Sequence, residues 1–228
     1  FTLVVQKDDL TFVAVDKIRS TPVFFTKVKN DFFIDYDPKN LVKLTEFNKL
    51  IDKDAKLELF MSGFTIGNKT IYKKLNTLKA GEIVLFQNNN YERLQYYKYF
   101  GEILNKNFDE YLADLSKVTL NIFRKMLKQI GNRQIIIPLS AGNDSRLIAS
   151  VLKHLGAKNV KCYSYGTKGN FEAKIAKTIA NKLGYEWKFI PLTHKSEKKY
   201  YASNDYKKYL DFSETFCSLP YFQSLSTI

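Results

Sequence analysis

At 228 residues and 26.5 kDa the chain can hold one large domain or two small ones. Its composition, 45% hydrophobic and 26% charged, excludes wholesale disorder, and no apolar run approaches the ~18–20 residues of a membrane span. A net charge of +13 sits beside only two cysteines, Cys162 and Cys217, and two histidines, His154 and His194, which excludes a disulfide scaffold and a cysteine-rich zinc site. The first 36 residues read as a β-meander. Leu3–Val5, Phe12–Val15, Val23–Phe25 and Phe32–Ile34 are short β-branched or aromatic runs separated by polar punctuation. Asp37 to Leu50 predicts a helix with Pro38 at its first turn, and Ala55 to Met61 a shorter one. Gly81–Phe86 and Arg93–Tyr99 flank Gln87–Asn90 as a hairpin.

The pattern then changes. Apolar residues recur at helical spacing from Phe108 to Ile130, and Asn107 with Glu110 forms a capping-box signature at the start. Ile135–Ile137 reads as a strand buried on both faces, and Asp144–Leu155 as a helix stopped by Gly156. Val160–Tyr165 is a second strand, Phe171–Leu183 a helix ending at Gly184, and Trp187–Ile190 a third strand. Strand and helix alternating at about 25-residue spacing predicts an α/β fold with a doubly wound parallel sheet. Ligands of such sheets bind at the carboxyl ends of the strands, here the turns after residues 137 and 165.

The first of those turns carries the chemistry. Ser140-Ala-Gly-Asn-Asp-Ser145 places two hydroxyls, a small-residue bend and one carboxylate where a strand gives way to a helix. Backbone N–H groups and the helix dipole favour an anion there. A carboxylate in an anion site calls for a cation, so Asp144 suggests Mg²⁺ bridging to phosphate. The plainer reading makes Asp144 a helix N-cap and Ser140 a turn residue. The stretch is neither a Walker A motif nor a dinucleotide fingerprint.

Pro138 to Ser145 resembles the SGGxDS pyrophosphate loop of N-type ATP pyrophosphatases, and the chain most resembles the glutamine-dependent asparagine synthetase family. Phe12 to Phe25 (FVAVDKIRSTPVFF) is similar to the glutaminase segment "aRDrxGxxPLYY". Thr70 to Ile83 (TIYKKLNTLKAGEI) resembles the interdomain "TxxxxIxxLxPGexl", and Glu172, Ala176, Ala180, Leu183 and Gly184 resemble "ExxxAxxxAxxLGxxH" in its general pattern. The resemblance implies a partial α+β glutaminase-like (Ntn hydrolase) domain over residues 1–100. An ATP pyrophosphatase domain with the doubly wound sheet, incomplete at its end, would follow over 101–228.

By the same resemblance ATP would be bound by Leu139, Ser140, Ala141, Gly142, Asn143, Ser145, Arg146, Tyr165 and Gly166, with Asp144 on Mg²⁺. The reaction implied cleaves ATP between its α- and β-phosphates, forms an acyl-adenylate on a carboxylate such as aspartate or a sugar acid, and amidates it with ammonia from glutamine. A homodimer is compatible with this family. Three departures stand out. Ala141 replaces the loop's first glycine, the glutaminase's N-terminal cysteine nucleophile is missing, and the family's downstream acidic motif would lie past Ile228. A piece of a longer cytoplasmic polypeptide is therefore expected, inactive by itself.

Two rivals follow from the same residues. The net charge would suit a tRNA-modifying pyrophosphatase, whose loop is of the same type. Only five of the 36 basic residues are arginine, however, and the lysines are scattered singly or in pairs, so nucleic acid is not the expected partner. Ala141 motivates the second rival, a non-catalytic nucleotide-binding relative. Asp16 and Arg19 read as a structural turn pair, both histidines as surface or capping residues, and Cys162 as a small buried hydrophobe. Tyr200, Tyr201, Tyr206 and Tyr209 read as packing.

Overall fold

The computed structural model describes residues 1–44, 50–222 and 225–227. The fold has mixed α/β content in two compact units, Phe1–Glu102 with Lys207–Tyr221, and Ile103–Tyr206 with Phe222–Ile228. Residues 207–221, assigned from sequence to the second half, cluster with the first unit.

In the first unit, β1 (Thr2–Lys7), β2 (Leu10–Val15), β6 (Glu82–Gln87) and β7 (Asn90–Gln95) form an antiparallel sheet in the order β1-β2-β6-β7. A second sheet runs β4-β3-β5, from β3 (Phe24–Val28), β4 (Asp31–Asp35) and β5 (Asn76–Thr77). The opening residues are thus two hairpins in two sheets rather than one meander. The cause is burial: Val13, Val15, Val84 and Phe86 of one sheet close a core against Phe25 of the other, with Val23 and Leu78 beside it. Phe24 points to the opposite face of β3 and packs with Leu41, Leu75 and Cys217 in a separate cluster. That third layer includes α1 (Pro38–Lys43), capped by the Asp37 side chain on Lys39 N–H. The remainder of the helix expected to Leu50 falls on residues 45–49, outside the described residues. α2 (Lys53–Ser62) is one turn longer than its apolar pattern suggested, because Asp52 caps it two residues earlier.

The β6–β7 turn is Asn88-Asn89, both residues at positive φ (49° and 61°), the backbone of a two-residue primed turn. Its register makes β7 run from Asn90 to Gln95 instead of to Tyr99. Gly81 has φ +66°, and a Cβ there would lie 2.5 Å from the carbonyl oxygen of Tyr97, so no side chain fits. Segment 215–219 returns to pair beside residues 63–71, with Thr65 N–H donating to Cys217 O at 2.8 Å and Ile71 N–H to Phe216 O at 2.8 Å.

The second unit begins with α3 (Phe108–Ile130), whose capping box joins Asn107 and Glu110 as read from sequence. β8 (Ile135–Pro138), β9 (Val160–Gly166) and β10 (Glu186–Pro191) run parallel in the order β8-β9-β10. α4 (Asn143–His154) and α5 (Phe171–Leu183) connect them and α6 (His194–Tyr201) follows; α7 (Asn204–Ser213) starts in this unit, but from Lys207 onward it clusters with the first. Ile137, Leu139, Cys162, Leu152, Ala176 and Ala180 form the core, flanked by Phe123, Met126 and Leu127 of α3. All three helices therefore cover one face of the sheet. The second helical layer of a doubly wound sheet is not found among the described residues, since three parallel strands in sequential order return each crossover to the same side. On the other face Ile136 is 60% exposed, and Pro138, Lys161, Tyr163, Glu186, Lys188 and Ile190 line a shallow groove of about 640 Å³. Tyr201 and Tyr206 meet edge-on at 4.9 Å, the expected packing role, while the Tyr209 hydroxyl donates to Tyr221 O at 2.8 Å. No helix among the described residues is long and apolar enough to cross a membrane.

Two outcomes follow from these cores. Glu82 is 1% exposed, and its carboxylate accepts from Arg93 at 2.8 Å and from Lys79 N–H at 2.7 Å. Arg93→Met leaves that buried charge only the more distant, half-exposed Lys79 ammonium at 3.8 Å and should cost the first unit about 3 kcal/mol in urea unfolding, more than replacing both partners with apolar residues. Burial pushes the Cys162 thiol up to about 11. Being an acid raised by folding, it adds stability below the unfolded thiol's pKa of about 8.5 that is lost as pH climbs towards 11. Ellman's reagent at pH 8 should therefore find neither cysteine until denaturant is added, since Cys217 is buried too.

Candidate functional site

β8 ends at Pro138, and the chain turns into α4 through Leu139 to Gly142. Leu139 is 2% exposed, and its N–H donates to Tyr163 O of β9 at 2.8 Å. The Leu139–Ser140 peptide is held at both ends. Its carbonyl accepts from the Ser164 hydroxyl at 2.6 Å, and its N–H donates to Ser145 Oγ at 3.1 Å. Ser140 Oγ and Ser145 Oγ are 3.0 Å apart, and Gly142 N–H donates to Ser140 Oγ at 3.1 Å. Between them the two serines own two hydroxyl protons, and their mutual hydrogen bond uses one. The other remains for an outside acceptor.

α4 starts on Gly142 (φ −70°, ψ 161°) with no side-chain cap, so its first N–H groups stay open for an anion. Asp144 is the second residue of the helix rather than its N-cap. It is exposed and engages no donor among the described residues. Ala141 does not adopt positive φ, so its Cβ costs the loop no backbone strain. Asn143 and Arg146 are exposed and bonded to each other, the guanidinium donating to Asn143 Oδ1.

A cavity of about 390 Å³ opens beside this loop, lined by Leu139, Ser140, Tyr163, Ser164, Tyr165 and Glu172 among others. Of the residues read from sequence it gathers Leu139, Ser140 and Tyr165. Gly142 and Ser145 join through hydrogen bonds to Ser140, while Ala141, Asn143, Asp144, Arg146 and Gly166 do not line it. Gly166 has φ +129°, a backbone reserved for glycine, and its carbonyl accepts from Leu192 N–H at 2.9 Å. Asn170 caps α5 through Ala173 N–H at 2.7 Å. Ser164, Trp187 and Glu172 had no assigned role in the sequence reading. The available signal for Ser164 was the inward alternation of β9, which places a serine where Val160 and Cys162 are apolar.

Among the described residues no group of three or more His, Cys, Asp or Glu could hold a metal alone. One exposed carboxylate beside two hydroxyls does fit Mg²⁺, which keeps waters and takes one or two carboxylates together with phosphate oxygens. Asp16 and Arg19, read as a turn pair, close that turn through Arg19 N–H donating to Asp16 O at 3.0 Å, while their side chains go to different partners. The Asp16 carboxylate binds the Phe1 ammonium and the N–H groups of Ile18 and Ser20, which hold it well below the usual carboxylate range, while Arg19 donates to Leu78 O at 3.2 Å. His154 and His194 are exposed.

These two units fall on two known families. Residues 1–98 match the glutamine amidotransferase domain family, and residues 128–201 match the asparagine synthase family. Together they place the chain in the asparagine synthetase-like glutamine amidotransferase family. No curated protein matches. Among solved structures, an NH₃-dependent NAD synthetase from Campylobacter jejuni, in complex with the nitrate ion, is 20% identical, with a TM-score of 0.34 over 40% of this chain. The chain spans 41% of that structure.

Gly166→Ala would meet the strained φ and place a Cβ 2.9 Å from Asn170 Nδ2, disturbing the α5 cap. It should cost about 2 kcal/mol of stability, read by urea unfolding.

Proposed function

We propose that the protein is an ATP-dependent amidotransferase of the asparagine synthetase kind, whose second unit is a PP-loop pyrophosphatase fold binding ATP over the Ser140–Ser145 loop. The observation that carries the reading is the uncapped N-terminus of α4 beside the Ser140–Ser145 hydroxyl pair. The β- and γ-phosphates would take the N–H groups of the first helical turn and the one free hydroxyl proton. Asp144 would hold Mg²⁺, which supplies positive charge against the leaving pyrophosphate. Leu139 and Tyr165 would border the nucleoside part, with Gly166 close by. Arg146 and Asn143, exposed at the loop's rim, would add a charge-assisted contact when Arg146 swings from its partner.

The carboxylate substrate attacks the α-phosphorus, pyrophosphate leaves, and ammonia released from glutamine displaces AMP to give the amide. The chain's own contribution is positioning and fixed dipoles, since the loop's N–H groups and hydroxyls are already oriented. Aspartate is the first acceptor to try and a sugar acid the second. A tRNA-modifying pyrophosphatase is the second reading, favoured by the charge of +13. It predicts tRNA affinity that falls steeply and linearly with log[salt].

The intact protein, supplied with ATP, Mg²⁺ and aspartate, should release pyrophosphate with glutamine or ammonium. Asp144→Ala should lower that rate by about 10²-fold or more. Unchanged ATP turnover in Asp144→Ala would remove the Mg²⁺–pyrophosphate role.

A further inference from the structure

The Ser140–Ser145 loop is tied to the third strand by a hydrogen-bond chain that no part of the loop motif requires. The Trp187 indole N–H, on β10, donates to Ser164 Oγ at 3.0 Å. Ser164, on β9, donates to the Leu139 carbonyl at 2.6 Å, and the same peptide's N–H reaches Ser145 Oγ at 3.1 Å. The chain thus crosses β10, β9 and the end of β8 before it enters the loop. We propose that Ser164 and Trp187 are positioning residues that hold the Ser140–Ser145 loop in its anion-binding shape. Their effect on ATP rests on the nucleotide site proposed above.

Burial makes the chain consequential. Ser164 is 6% exposed and Leu139 2%, so the Leu139 carbonyl has little water to turn to if the hydroxyl is removed. A serine hydroxyl left to itself can rotate and bond back to its own strand. Here the indole N–H occupies an acceptor position on Ser164 Oγ and leaves the proton directed at Leu139 O. Accepting that proton polarises the peptide, which strengthens its N–H as a donor to Ser145 Oγ. Ser145 is thereby fixed opposite Ser140, and one hydroxyl proton of the pair points outward. Apolar packing would be served equally by alanine at 164, between the inward neighbours Val160 and Cys162 and the ring of Trp187.

The test uses the full chain with Ser164→Ala, Trp187→Phe, the double variant, and Ile179→Val as a packing control in the same core. Without nucleotide, amide exchange over residues 139–142 should quicken at least tenfold in both single variants, with β8 and α5 unchanged. Trp187 is the sole tryptophan, so the Raman band sensitive to indole hydrogen bonding should move to its unbonded position in Ser164→Ala. ATP affinity by calorimetry should fall about tenfold in Ser164→Ala, and the double variant should be no weaker than Ser164→Ala. Unchanged loop exchange in both single variants, or equal loosening by Ile179→Val, overturns the proposal. If the unaltered protein binds no ATP while the loop loosens as stated, the positioning role stands and the nucleotide reading falls.

Discussion

One peptide plane, Leu139–Ser140, organises the candidate site. Its carbonyl and N–H leave a parallel sheet at the point where ladder pairing ends, the carbonyl buried and the N–H half-buried. Such groups cost a few kcal/mol each if unpaired. Two serines from different elements meet that cost, Ser164 from the neighbouring strand and Ser145 from the helix that follows. The loop geometry then follows with little freedom. Ser145 must face the peptide, Ser140 must face Ser145, and Gly142 N–H folds back onto Ser140. Satisfying a buried backbone group leaves a helix N-terminus open and a hydroxyl spare, which are the requirements for holding an anion.

The two units solve burial differently. The first stacks two antiparallel sheets and a helical layer, so that Phe24 and Phe25, adjacent in sequence, enter separate clusters. Aromatic rings set much of its interior: Phe25, Phe86 and Tyr91 lie within about 6 Å of one another, and the Arg93 guanidinium lies over two of them. The second unit buries one face of a three-stranded sheet under small residues, Ala149, Ala176 and Ala180, that let the helices approach closely. Its other face stays apolar at Ile136 and Ile190 yet carries the Lys161–Glu186 ion pair, 2.9 Å, on the same surface.

Local rules made much of this legible from sequence. The capping box at Asn107, the Gly184 stop and the three strand runs are short-range signals, and each falls within a residue or two of its observed boundary. The loop motif was legible because strand, bend and helix start sit within ten residues. What stayed hidden depends on distant partners. Nothing local reveals that β2 pairs with β6 rather than β3, or that residues 215–219 return to lie beside 63–71. Ser164 and Trp187 likewise have no pattern of their own, because their role exists only once three strands are side by side. The expected second helical layer exposes a limit of spacing arguments. Alternation of strand and helix fixes parallel pairing, while strand order decides which face each helix covers.

The return of residues 215–219 has a consequence for biosynthesis. The cluster of Phe24, Leu41 and Leu75 is completed by Cys217, so that layer of the first unit closes only when that residue has left the ribosome. By then β8, β9 and β10, ending at Pro191, have already emerged. Their pairings join neighbouring strands of a continuous segment, whereas β2 must find β6 about seventy residues away. Low contact order favours quick folding. The helical layer of the first unit is therefore its last part to close: the core between its two sheets needs nothing beyond Phe86, and the parallel sheet of the second unit nothing beyond Pro191, so both can form before Cys217 arrives.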